Sequence, residues 1–108
     1  KHAQEVGAIC NRLHALSKEL NCHVIAVSQF RRRESKERPP TMADLKESGE
    51  IENAADHVVL LWKPEHTDQA SFNMAKQRHG PPGKFNLRWN KDKARFEEPD
   101  ARIEDKDL

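Results

Sequence analysis

Residues 72–83 read FNMAKQRHGPPG, a pattern that predicts a strand running into a tight turn. Apolar and polar residues alternate at the start of this segment, and glycine and proline dominate its end. Lys76 and Arg78 stand two residues apart, just before the turn. Because alternate residues of a strand share a face, both cations should project together from a rigid strand end. Such a pair suits a phosphate, since arginine offers a planar fork of donors and lysine a compact charge.

The sequence around this segment has an α/β pattern. Alternation at 84–89 predicts the partner strand of a hairpin, and an apolar run at 57–62 predicts a strand upstream. Upstream, the pattern predicts a helix at 4–20 capped near Asn21 and a central parallel strand at 24–28 that is buried on both faces. Two short helices are predicted at 42–45 and 51–55, the first with Thr41 as its N-cap and Asp44 three residues further on. A short strand is predicted at 94–96. This order fits the C-terminal half of a mostly parallel α/β sheet with a terminal β-hairpin.

Length and composition predict a single small domain. The chain has 108 residues, of which 35% are hydrophobic and 34% charged, so its core is modest. We expect the domain to span 1–96 and the acidic stretch 97–108 to be disordered. The chain does not begin with methionine, which suggests a fragment or an excised domain.

Several classes of site and location are disfavoured. We find no signal peptide and no apolar run long enough to cross a bilayer, so we expect a cytoplasmic location and no membrane partner. Cys10, Cys22 and the histidines have no ligand spacing, which predicts that the chain has no metal site.

Three blocks of sequence carry a family resemblance. The first, residues 16–29, reads LSKELNCHVIAVSQ and leads from a helix into a strand that ends in Ser-Gln. The second, residues 38–52, reads RPPTMADLKESGEIE and is followed by Ala55-Asp56. The third, residues 75–81, reads AKQRHGP. Together, in this order and spacing, they resemble the C-terminal RecA-like motor domain of DnaB-type replicative DNA helicases over nearly the whole chain.

The resemblance implies roles for residues of the first two blocks. Gln29 matches the residue that senses the γ-phosphate of ATP and relays that state to a DNA-binding loop; its amide could donate to a phosphate oxygen. Lys46, Glu47 and Gly49 match that loop, which contacts single-stranded DNA. Lys46 keeps the charge of the family's usual arginine but lacks its fork, and Glu47 is expected to order the loop. The plainer alternatives are a Gln29 that only caps loop backbone and a connector that binds no ligand.

The resemblance implies an interface role for Lys76 and Arg78. They match a lysine and an arginine finger that reach into the ATP site of a neighbouring subunit and neutralise charge on the transferred phosphoryl group. An isolated pair of this kind would more simply be a solvated hairpin edge. His79 stands where the family usually has asparagine and is expected to serve the turn. Three further arginines are either additional contacts to DNA phosphates or part of a solvated loop, namely Arg31, Arg32 and Arg33.

The motifs that bind ATP in this family do not occur in the 108 residues. There is no Gly-x-x-x-x-Gly-Lys-Ser/Thr loop (Walker A) and no apolar strand ending in aspartate (Walker B) before the first helix. We therefore expect a partial motor domain that does not hydrolyse ATP by itself. ATP and Mg²⁺ are expected in the assembled parent enzyme, and neither is expected to be held by this chain alone.

The expected function is that of one part of a hexameric, ATP-dependent helicase that translocates on single-stranded DNA and unwinds the duplex. Its expected partners are single-stranded DNA, identical subunits of the ring, and a helicase loader or primase. One alternative is a stand-alone single-stranded DNA-binding or helicase-associated module without ATPase activity. Another is a piece of a RecA-type recombinase, which the Asp-Leu-Lys-Glu-Ser-Gly block disfavours.

Overall fold

The computed structural model describes residues 2–31, 37–45 and 48–99 as two helices, a 3₁₀ turn and a four-stranded sheet. In chain order the elements are α1 (His2–Leu20), the 3₁₀ turn (Met42–Asp44), α2 (Ser48–Ala54), β1 (His57–Trp62), β2 (Gln69–Gln77), β3 (Gly83–Asn90) and β4 (Arg95–Glu97). Within these described residues, no helix has the length and apolar character needed to cross a bilayer.

The first helix ends at the predicted cap. Asn21 adopts a left-handed conformation with φ of 51°, which asparagine tolerates better than most residues. The N–H of Cys22 donates to the carbonyl of Ser17 at 3.0 Å, and the N–H of Asn21 lies 3.4 Å from the carbonyl of Lys18. These two bonds satisfy carbonyls that the helix end leaves without partners, in the pattern of a Schellman motif.

The 3₁₀ turn also begins where the sequence predicts. The backbone N–H of Thr41 donates to the Asp44 carboxylate at 2.7 Å, so aspartate fills the place that glutamate or glutamine usually takes in a capping box. This bond lowers the pKa of Asp44 below its ordinary value, and the nearby Arg38 guanidinium lowers it further, because both stabilise the ionised carboxylate.

The sheet has the order β1-β2-β3-β4, and every neighbouring pair is antiparallel. Its register contains one irregularity, between β1 and β2. Val58 lies opposite Lys76, but Val59 lies opposite Met74, so Ala75 is an extra residue that forms a bulge in β2.

The two faces of the sheet differ in what covers them. Val58 and Leu60 of β1 are buried and pack with Leu45 into a small core, which α2 contacts through the half-buried Ile51. Val59 and Leu61 point to the opposite face and stay 46% and 43% exposed. That face also carries an aromatic cluster in which ring centroids lie 5.0–5.1 Å apart: Phe72, Phe85, Phe96 and Trp89.

The predicted parallel strand at 24–28 is wrong for this chain. The segment from Cys22 to Gln29 forms no strand, and Ile25 and Val27 are 90% and 94% exposed. A run that is apolar on both sides requires covering layers on both faces, and no described element supplies them. The described sheet is accordingly antiparallel throughout instead of mostly parallel.

The C-terminal boundary lies slightly further along than predicted. Glu97 belongs to β4 and contacts Arg88, Asn90 and Arg95, so the first residue of the expected tail is part of the sheet. Residues 100–108, for which disorder was expected, lie outside the described part of the chain.

Candidate functional site

Lys76 and Arg78 both project to the face of the sheet on which α2 lies. Side chains of directly opposed strand residues share a face, so Lys76 lies on the same face as Val58. If Ala75 were paired in register instead of bulged, Lys76 would share the aromatic face with Met74. The bulge therefore directs the cations towards α2.

The guanidinium of Arg78 contacts the segment that joins α2 to β1. Its Nε lies 3.1 Å from Asp56 Oδ1, and its Nη2 donates to the carbonyl of Ala55 at 3.4 Å. The backbone N–H of Arg78 also donates to the carbonyl of Asp56 at 3.0 Å, which extends the β1–β2 pairing past the end of β2. The Arg78 side chain keeps 41% of its surface exposed, so the guanidinium is anchored and still accessible.

Lys76 reaches the same end of α2. Its Nζ donates to the carbonyl of Glu52, in the last turn of the helix. Carbonyls of a last helical turn have no partner within the helix, and cations satisfy them well. Both predicted phosphate-binding cations therefore converge on the C-terminal end of α2.

A histidine from the first helix completes this cluster. His14 Nε2 lies 3.6 Å from Asp56 Oδ1, the same oxygen that faces Arg78. The side chains of His14 and Asp56 are 29% and 47% exposed. The two helices pack closely, since the buried Gly7 of α1 leaves room for the Glu50 side chain of α2. The α1 and α2 helices thus support the site from one side.

The sequence did not single out Asp56 and His14 for this cluster. In the sequence, Asp56 is only part of the second resemblance block, and His14 is one of several histidines without ligand spacing. The signal that would have found Asp56 is the register: His57 lies opposite Gln77, so the preceding and following residues face each other. That inference needs β1 and β2 to be adjacent and antiparallel, which residue patterns alone do not specify.

Gln29 lies next to the backbone that leads into the predicted DNA loop. The next residue, Phe30, forms an antiparallel bridge with Leu45, and the N–H of Arg31 donates to the carbonyl of Asp44 at 2.7 Å. Gln29 and Arg31 are both exposed. Among the contacts of the described residues, none joins Gln29 to Lys76 or Arg78.

Only one residue of the predicted DNA loop can be placed. Gly49 is the second residue of α2, is exposed, and has open space around the position of an added Cβ. Its φ is not positive, so it is not needed for a left-handed turn. Of the other predicted DNA-contacting residues, Arg31 is exposed, whereas Lys46, Glu47, Arg32 and Arg33 lie outside the described part of the chain.

Comparisons with known proteins agree with the sequence blocks. The family model for the DnaB-like helicase C terminal domain matches residues 1–98. The chain is 35% identical to the replicative DNA helicase DnaC of Bacillus subtilis and 36% identical to the replicative DNA helicase DnaB of Geobacillus stearothermophilus, in each case over 94% of this chain and 24% of the relative. It therefore spans about a quarter of the length of these curated relatives.

Solved structures give the same result. The ATPase domain of G40P superposes with a TM-score of 0.80 at 29% identity, over 93% of this chain and 38% of that chain. A DnaB-like replicative helicase, described with its interactions with primase, superposes with a TM-score of 0.79 at 29% identity, over 93% of this chain and 26% of that chain. These neighbours are RecA-like ATPase domains, which confirms the predicted α/β fold class. The chain belongs to the family of DnaB-like helicase C-terminal domains.

Proposed function

We propose that this chain is the part of a ring-forming, ATP-dependent replicative DNA helicase that completes the ATP site of a neighbouring subunit. The observation that carries this proposal is the convergence of Lys76 and Arg78 at one end of α2, with the Arg78 guanidinium anchored on one side and exposed on the other. In this role Arg78 acts as an arginine finger and Lys76 supplies a second positive charge.

The donor chemistry of the two side chains fits ATP. Arg78 offers N–H groups beyond those that face Asp56 and Ala55, in a geometry that matches phosphate oxygens. When bound to the neighbouring subunit, ATP would supply the phosphoryl group that is transferred to water. A correctly placed arginine at such a site is typically worth about 10³- to 10⁵-fold in rate. We place Mg²⁺, like the phosphate-binding loop, in the neighbouring subunit's site.

Gln29 and the DNA loop form the second part of the proposal. The Phe30–Leu45 bridge puts Gln29 one residue from a backbone pair whose other strand leads directly to Lys46. A change at Gln29 on phosphate binding would therefore be passed to the loop through paired backbone. We propose that Lys46, Glu47 and Gly49, with Arg31, Arg32 and Arg33 as additional cations, contact one DNA strand.

The proposed partners follow from this role. They are single-stranded DNA, identical subunits in a hexameric ring, and a helicase loader or primase. Primase is supported by the structural similarity to a DnaB-like replicative helicase that is described with its interactions with primase. A role in replication also implies a cytoplasmic location. The rival proposal is a single-stranded DNA-binding module without ATPase activity.

A chimeric ring tests the proposal. Residues 1–98 would replace the matching segment of the Bacillus subtilis replicative DNA helicase DnaC, a relative whose match covers 94% of this chain. We expect Arg78→Ala to lower ATP turnover by about 10³-fold or more while DNA binding is kept. Arg12→Ala, which removes an exposed arginine from α1, is the matched control. Equal loss of turnover and DNA binding in Arg78→Ala would show that Arg78 is structural.

A further inference from the structure

The Arg78 side chain is fixed by its neighbours along one edge only. Asp56 Oδ1 faces its Nε and the Ala55 carbonyl faces its Nη2, and both residues belong to the short connection between α2 and β1. The remaining N–H groups, including those of Nη1, point away from this edge. Arginine has a long flexible side chain, and holding it in one orientation reduces the entropy it must lose when it meets a phosphate.

We propose that Asp56 is a positioning residue that sets the orientation of Arg78 for its action on the neighbouring subunit's ATP. This inference rests on the proposed function and deepens it. Asp56 acts through Arg78, touches neither ATP nor DNA, and uses its carboxylate to hold the Nε edge while its backbone carbonyl holds the Arg78 N–H. The same residue thus fixes both the side chain and the backbone of the finger.

The position of Asp56 makes it the link between α2 and Arg78. Asp56 follows α2 by two residues and precedes β1 directly, and the Gly49 end of α2 belongs to the predicted DNA loop. A shift of α2 along its axis would move the Glu52 and Ala55 carbonyls together with Asp56, and so would move the groups that hold Lys76 and Arg78. Contact with DNA at the N-terminal end of α2 would therefore change the orientation of Lys76 and Arg78 at its C-terminal end.

Three charged or titratable groups meet at this point from different elements. They are Asp56 before β1, Arg78 after β2 and His14 on α1. Of these, the Asp56 carboxylate is shared by the other two, since His14 Nε2 and Arg78 Nε both approach Oδ1. Removal of the Asp56 side chain should therefore release Arg78, whereas removal of His14 should leave the Arg78 contacts to Asp56 and Ala55 in place.

The first test uses the full chain and needs no enzymatic activity. In ¹⁵N relaxation measurements we expect the Nε–Hε order parameter of Arg78 to exceed that of Arg12, which is exposed on α1, by at least about 0.2. Asp56→Ala should remove this difference, Asp56→Glu should restore part of it, and Asp92→Ala, in the exposed β3–β4 turn, should leave it unchanged. Equal order parameters at Arg78 and Arg12 in the unaltered chain would overturn the proposal without any variant.

The second test uses the chimeric ring and separates this inference from the proposed function. Asp56→Ala should lower kcat for ATP by on the order of 10- to 100-fold, with KM changed less, and Asp56→Glu should recover part of the loss. An unchanged or higher kcat in Asp56→Ala, in a ring where Arg78→Ala is inactive, would overturn the positioning role and leave the proposed function intact. Full turnover in Arg78→Ala would instead overturn the proposed function, and this inference with it.

Discussion

Replacing Leu60 by alanine should cost the chain about 3 kcal/mol of its free energy of unfolding. Leu60 is 2% exposed and is the largest fully buried side chain among the described residues. The truncation removes apolar groups worth about 0.8 kcal/mol each on burial, so the transfer part is about 2.5 kcal/mol. The cavity left between Leu45, Val58 and the sheet adds the rest, since so small a core can close only partly around it.

Leu61→Ala is the matched control for this change. Leu61 is the next residue of β1, but it points to the opposite face and is 43% exposed, so the same truncation should cost about 1 kcal/mol and leave no closed cavity. Urea denaturation followed by far-UV circular dichroism gives both values from the shift of the midpoint at constant slope. Costs that agree within about 0.5 kcal/mol would refute the assignment of a covered and an open face to the sheet.

Three further outcomes are expected. Glu97→Gln should destabilise the chain at neutral pH but not at strongly acidic pH. Hydrogen bonds from Arg95 and, to a smaller extent, Asn90 lower the pKa of Glu97 below its ordinary 4.5. The ionised Glu97 carboxylate therefore stabilises the fold above pH 4.5, and this stabilisation is lost as the pH falls through the lowered pKa. Thermal denaturation at both pH values checks this, with exposed Glu98→Gln as control. Asn21→Ala should cost about 1 kcal/mol because φ is 51°, whereas Asn21→Gly should be no less stable in urea denaturation. In a malachite-green assay, the 108-residue chain alone should release no phosphate from ATP, with or without single-stranded DNA, because its sequence contains no Walker A motif. DNA-stimulated turnover would refute this expectation.

Elements specified by nearby residues could be predicted from the sequence. The bounds of β1 were predicted at both ends, because an apolar run between polar residues determines them. The capping roles of Asn21 and of the Thr41–Asp44 pair were also predicted, since each depends on residues no more than a few positions apart.

Features that depend on distant parts of the chain could not be predicted in the same way. The run at 24–28 was predicted as a buried strand, yet burial depends on covering layers that a local pattern does not contain. The contact of Asp56 with Arg78 depends on the register between β1 and β2, which joins residues more than twenty positions apart. The resemblance to a helicase family implied the role of Lys76 and Arg78. It did not identify Glu52, Ala55 and Asp56 as the residues that contact them.

The bulge at Ala75 limits which insertions and deletions β2 can accept. A one-residue deletion between Met74 and Lys76 would restore regular pairing with β1, and the ladder hydrogen bonds could still form. Lys76 would then follow Met74 directly and would stay opposite Val58, on the face of α2 and Asp56. A one-residue insertion at the same place, with the single bulge kept, would instead shift Lys76 and Arg78 by one position and turn both to the aromatic face. A relative with one residue more between Met74 and Lys76 would therefore share the letters of this site without its geometry.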